Sequence, residues 1–213
     1  MIRKHSFLYL CLLGLFAFFV YPTNGFPEEG RKSIVLEDFS SLDQNGLPAG
    51  WIVQREKPNA AEIYRVEKEG TGRYLHADGQ PNRIFKKIKW NPNQYPFLTW
   101  KWRMKNVSID PDKEKNASFY VSLGTDLMGI PKITKYAWSS IEKSGLEKSG
   151  GIFRPTTIVL RSGPPETGEW VTETINVLQD YKRLHNEDPP DEAYGIGIMT
   201  TLEAEFAEII AHN

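Results

Sequence analysis

Residues 97–104 alternate without a break. Leu98, Trp100, Trp102 and Met104 fall on one side of an extended chain, and Thr99, Lys101 and Arg103 on the other, because successive side chains of a strand point to opposite faces. A helix would scatter those four large apolar groups around its circumference. Two indoles on one face need a dry partner surface. The stretch therefore predicts a strand with one face in a hydrophobic interior and the other turned to solvent or cargo.

The same period recurs along the chain. Residues 117–125 set Phe119, Val121 and Leu123 against Ser118, Tyr120 and Ser122. Residues 156–162 set Ile158 and Leu160 inward and Thr157, Val159 and Arg161 opposite. Residues 135–139 carry Tyr136 and Trp138 on one side, and residues 169–176 are rich in threonine and β-branched side chains, which suit a pleated surface. Shorter runs at 34–39, 51–54, 62–66, 74–77, 84–90, 194–200 and 205–210 alternate with turn clusters such as Asn45-Gly46 and Gly163-Pro164-Pro165. Short strands with turn signals about every 8–12 residues predict an all-β sandwich or barrel. One segment departs from the pattern. Val177, Leu178, Tyr181 and Leu184 follow helical spacing behind Asn176, a good cap residue, and predict one short helix over a sheet edge. Residues 105–116 and 141–154 read as polar loops.

The amino terminus sets the compartment. Arg3, Lys4 and His5 precede an apolar run from Phe7 to Tyr21, followed by Pro22, Thr23 and Gly25. That is the layout of a secretory signal peptide, and its apolar run is shorter than the ~20 residues that span a bilayer. The expectation is a signal at 1–25, a single domain at 26–213, and an exported protein, periplasmic or secreted, with no membrane span after signal removal. Cys11, the single cysteine, lies inside the leader with most of the apolar run after it, a setting that does not suit lipidation. The remaining chain then has no disulfide and no thiol, and burial has to stabilise it. The formal charge is −1, and losing Arg3 and Lys4 makes the remainder more acidic. There is no basic surplus of the kind that holds nucleic acid.

A resemblance rests on several stretches taken in order: Leu36-Glu37-Asp38-Phe39 with Gly50-Trp51, residues 96–103, residues 135–138, residues 157–163, residues 168–177 with Asp180-Tyr181, and residues 195–200. Together they resemble a bacterial exported family of unknown function, domain of unknown function 3047. The resemblance implies a secreted or periplasmic β-sandwich of the jelly-roll kind and carries no activity with it. It also implies an Asp- and Asn-bearing loop after Met199-Thr200, where this chain has Thr201-Leu202-Glu203.

Lys101, Arg103, Tyr120, Arg161 and Glu173 each fall on the polar side of an expected strand. If those strands are neighbours, the five form a charged, aromatic-edged surface whose arginine forks suit carboxylates or vicinal hydroxyls. A solvated sheet face with cross-strand ion pairs would carry the same residues. Tyr136, Trp138 and Trp170 stand beside turns and are candidates for a cleft rim, though a partly buried wedge is the commoner fate of such rings. Trp100 and Trp102 share their side with Leu98 and Met104 and read as core rather than as a sugar platform. Glu203 and Glu205 stand at alternate positions, but no second acid cluster supports a paired-carboxylate mechanism. His76, His185 and His212 show no metal-ligand spacing. Asp110, Asp112 and Glu114 lack the rest of a calcium loop.

The expected function is a non-catalytic module binding a glycan or a cell-envelope component, without a cofactor or metal. Its expected contacts are Lys101, Arg103, Tyr120, Tyr136, Trp138, Arg161 and Glu173. Two alternatives stand beside it. One is a polysaccharide hydrolase or lyase using Glu173, Asp180 and Tyr181, with Arg161 neutralising an acidic substrate. The other is an envelope structural or interaction protein docking through its loops.

Overall fold

The strand at 97–104 is present with those bounds, and its two indoles have no accessible surface. The computed structural model describes residues 32–54, 60–105, 112–151, 154–164 and 168–213. The expected signal at 1–25 lies outside them, as do parts of both polar loops. In chain order the described elements are β1 (Ser33–Glu37), β2 (Trp51–Val53), α1 (Ala60–Ile63), β3 (Tyr64–Glu69), β4 (Gly72–Ala77), β5 (Ile84–Lys86), β6 (Phe97–Met104) and β7 (Asn116–Thr125). They continue with β8 (Pro131–Ser139), β9 (Glu147–Lys148), β10 (Thr156–Ser162), β11 (Val171–Asn176), α2 (Val177–His185), β12 (Gly195–Thr200) and β13 (Ala204–His212).

Two sheets face each other. The first runs β11-β6-β13-β4-β3, with β1 added beside β13. The second runs β2-β5-β12-β7-β8-β10-β9. A bulge between Ala207 and Ile210 divides β13, whose first half pairs with β4 and whose second half pairs with β1. All pairings are antiparallel except β8 with β10. The architecture is the expected all-β, jelly-roll-like sandwich of mainly antiparallel strands with one short helix over it, and this parallel pair makes the second sheet mixed. Parallel neighbours need a long connection between them, and the segment between β8 and β10 supplies it.

Aromatic rings from both sheets fill the space between them. Trp100 stacks on Phe119 of the opposite sheet at 4.5 Å, and Trp102 meets Trp138 at 5.7 Å and Phe206 at 6.1 Å. Each such ring removes roughly 150–250 Å² of surface from water, which lets a chain with no disulfide among its described residues hold a core. The helix starts where expected. The Asn176 side chain accepts from the Gln179 backbone N–H at 2.9 Å, and Asn186 ends the helix in the left-handed conformation. Val177 and Tyr181 are buried, and Asp180 accepts from the Tyr136 hydroxyl at 2.9 Å.

Several boundaries differ from expectation. The run at 62–66 opens with one helical turn, α1, before β3 begins. The run at 84–90 is strand only to Lys86, whereas the run at 135–139 extends back to Pro131. Thr201-Leu202-Glu203 is a packed turn. Leu202 is buried, the Thr201 N–H donates to the Asn116 carbonyl at 2.8 Å, and a Cβ on Gly79 would lie 2.5 Å from the Leu202 backbone.

Candidate functional site

The seven expected contact residues are distributed over three separate surfaces. Three of them, Tyr136, Trp138 and Glu173, are buried, and Arg161 reaches in beside them with part of its side chain still exposed. Tyr136 and Trp138 are core residues rather than rim residues, with 1% and 4% of their surface exposed. Burial, with the Asp180 carboxylate beside it, pushes the Tyr136 phenol well above its ordinary value. Glu173 lies opposite Trp100 in the register of β11 and β6, and directly opposed residues share a face. The inward set of β11 is therefore Val171, Glu173 and Ile175. Arg161 was expected opposite Ile158, but a bulge after Val159 puts it beside Trp138. One extra residue moves every later side chain to the other face. Its guanidinium crosses to the other sheet and donates to Glu173, which also accepts from the Trp102 indole N–H at 3.1 Å. Arg161 and Glu173 are thus a tie between the sheets.

Lys101 and Arg103 do face outward, on the first sheet. Lys101 reaches Glu208 at 3.5 Å. Arg103 is enclosed. It donates to Glu205, pairs with Glu69 at 3.1 Å, and lies 4.2 Å from the Trp170 ring and 5.2 Å from that of Tyr74. Trp170 is half-buried and donates to Glu69 at 2.8 Å. Glu205 has no accessible surface and takes further contacts from Lys105 at 2.6 Å and His76 at 3.2 Å. Burial raises the Glu205 carboxyl, but hydrogen bonds from Lys105, Arg103 and His76 outweigh it and hold the group below its ordinary value. Donor atoms of Glu67, His76 and Glu205 lie within 4.8 Å of one another. Two protein cations already occupy Glu205, so this cluster is an ion-pair network in its own right.

Tyr120 points to the third surface, the outer face of the second sheet, where a groove of about 690 Å³ runs across the strands. Of the expected residues it alone lines that groove. The floor is made by β12. Ile196 and Ile198 of that strand are buried, whereas Gly195 and Gly197 belong to the opposite set and line the groove. Gly195 has no room for a side chain, since a Cβ there would lie 2.4 Å from the Lys86 carbonyl, and Gly197 is tight, since a Cβ there would lie 3.1 Å from that of Ile84. Phe85, Tyr120 and Tyr194 supply aromatic walls around this bare backbone. Arg83 lies with its guanidinium 5.0 Å from the Tyr120 ring centroid and donates from Nε to Gln54 at 2.8 Å. Leu184 and His185, from the last turn of α2, also line it. Burial, and then Lys132, depress the His185 pKa. Its Nε2 is shielded from solvent with no hydrogen-bond partner among the described residues.

Apart from Tyr120, the groove residues lie outside the charged strand positions that the sequence singles out. The signal was nonetheless present in Gly195-Ile196-Gly197-Ile198. Alternation of glycine with isoleucine is a strand with one buried face and one face stripped of side chains, and glycine in a strand marks close approach of another backbone or of a ligand.

This arrangement defines a two-sheet β-sandwich with a ligand-sized groove on the outer face of one sheet. Residues 130–210, from the start of β8 into β13, match the model of a family described as Protein of unknown function (DUF3047). No curated protein matches the chain. Among solved structures, the K3 adhesin domain of Lys-gingipain from Porphyromonas gingivalis is similar over 85% of this chain and 100% of its own, at 11% identity and a TM-score of 0.43. Endoglucanase 3 of Trichoderma harzianum, from family GH12, is similar over 87% of this chain and 98% of its own, at 10% identity and a TM-score of 0.43. The xyloglucanase domain of NopAA from Sinorhizobium fredii is similar over 70% and 87%, at 10% identity and a TM-score of 0.38.

Proposed function

We propose that this protein is an exported, non-catalytic module that binds a glycan in the groove on the outer face of its second sheet. The observation that carries the reading is the groove floor: two adjacent outward positions without side chains, flanked by Phe85, Tyr120 and Tyr194. A sugar ring offers an apolar C–H face and a polar rim, and an aromatic-walled trough with fixed polar groups matches both. Its volume lies within the range of about 300–1,000 Å³ usual for small-ligand sites.

Binding is favoured over turnover by the charges around the trough. Glycoside hydrolysis generally uses two carboxyl groups about 5–9 Å apart. Among the described residues lining the groove Asp126 is the one carboxylate, and its Oδ1 accepts the backbone N–H groups of Met128 and Ile130 at 2.9 and 2.8 Å. Glu173 and Asp180, the acids of the catalytic alternative, are tied to Arg161 and to Tyr136 and Arg183 away from the groove. Export rests on the leader-like residues 1–25, with 26–213 as the exported domain. Among the described residues, no helix is long and apolar enough to cross a membrane.

The test is retention of the purified chain on a panel of neutral and acidic polysaccharides, with product analysis in the same samples. Retention without new reducing ends or unsaturated products supports the reading, and turnover of any polymer overturns it. Tyr194→Ala is expected to weaken retention about fivefold, the scale of one lost aromatic contact. Retention unchanged by that substitution would remove the groove from the argument.

A further inference from the structure

The charges lining the groove are not a sample of the chain as a whole. The full sequence is nearly balanced, at −1. The charged groups of the groove are Arg83, Lys86, Lys132 and Arg154 against Asp126. Two of these cations are already neutralised, since Lys86 pairs with Glu37 at 2.9 Å and Lys132 pairs with Glu187. Arg83 and Arg154 meet no carboxylate among the described residues. Of the other described arginines, Arg65, Arg103, Arg161 and Arg183 each have one, and Arg73, away from the groove, does not.

Arg83 is also held in place. Gln54 fixes its Nε without adding negative charge, and the Tyr120 ring supports one face of the guanidinium. A planar fork so oriented loses little entropy when it meets a carboxylate, and it forms paired charge-assisted hydrogen bonds there. An unpaired, preoriented arginine beside a bare trough is arranged for an anion carried on a flat, extended ligand.

Resting on the groove reading above, we infer that the ligand is an acidic polysaccharide, a chain of uronic-acid-type sugars, and that Arg83 meets its carboxylate. The sugar rings lie along Gly195 and Gly197 between Phe85 and Tyr194. Arg154 adds a second positive group on the same trough.

Affinity electrophoresis of the purified protein through gels containing polygalacturonate, alginate, fully methyl-esterified polygalacturonate or a neutral β-glucan tests this. Polygalacturonate or alginate is expected to retard the protein at low salt, and raising the salt is expected to weaken the retardation. The methyl ester keeps the sugar backbone and removes the charge, and is expected to bind at least tenfold more weakly than polygalacturonate. Arg83→Gln, its fold checked by an unchanged melting temperature, is expected to lose about tenfold on the acidic polymer. Lys101→Gln, on the opposite sheet, is expected to behave as wild type. Equal retardation by the ester, the glucan and the acidic polymers, or an Arg83→Gln protein that binds the acid as tightly as wild type, overturns the acidic preference and leaves the groove reading standing. Retardation by none of the four overturns both.

Discussion

Glu205 carries a full charge with no surface exposed to water. Such a group is tolerable only because Arg103, Lys105 and His76 replace its lost hydration. Removing the carboxylate leaves Arg103 and Lys105 facing a neutral group in a tight space, so Glu205→Gln is expected to cost about 3 kcal/mol, within the range for breaking one side of a buried pair. Denaturant titration of both proteins measures it. The linkage has a definite sign. The folded pKa of Glu205 lies below its unfolded value, so its contribution is complete above the unfolded value and disappears as pH falls through the folded one. Wild type is therefore expected to lose stability in acid more steeply than Glu205→Gln does. Parallel acid limbs in the two titrations would contradict the network as described. Nothing near Arg103 in sequence announces this pairing, because its partner stands 102 positions away.

At the scale of elements, β12 and α2 show what local pattern does and does not reveal. The helix was legible because its signals are local: apolar residues at helical spacing behind a capping asparagine. Asn176→Ala is expected to cost about 1 kcal/mol, and Asn176→Gly only a few tenths, because glycine keeps the cap backbone while losing its acceptor. Thermal melts of the pair check that ordering. In β12 the alternation of isoleucine and glycine was equally plain, but its meaning depends on neighbours the sequence does not name. The cost at Gly195 comes from the Lys86 carbonyl of β5, which a Cβ would approach to 2.4 Å. Gly195→Ala is therefore expected to force β5 and β12 apart and lower the melting temperature by several degrees, on the order of 1–3 kcal/mol of overpacking strain. A variant that melts like wild type would show that the floor has room to spare.

Across the whole molecule, the sequence spoke clearly about burial and poorly about partners. The strict alternation at 97–104 placed Trp100 and Trp102 in the core because that inference needs only the strand period. It did not reveal which strands lie beside β6, and those are β11 and β13, drawn from late in the chain. The expectation of one shared charged face failed for that reason, and at Arg161 for a second one: a single bulged residue turned an outward side chain inward. The outcome changes what an Arg161 substitution should do. On an exposed binding face, Arg161→Ala would weaken ligand retention and spare the fold. In this structure the guanidinium bridges from β10 to Glu173 on the other sheet while lying 5.7 Å from the Trp138 ring. Its loss leaves Glu173 with the Trp102 indole but without a cation. Arg161→Ala is therefore expected to destabilise the sandwich by about 1–3 kcal/mol, with polysaccharide retention unchanged below the lowered melting temperature. Arg161→Lys is expected to recover only part of the loss, since an ammonium cannot reproduce the planar fork. Weakened retention at a temperature where the variant is fully folded would return the binding surface to this edge of the molecule and away from the groove.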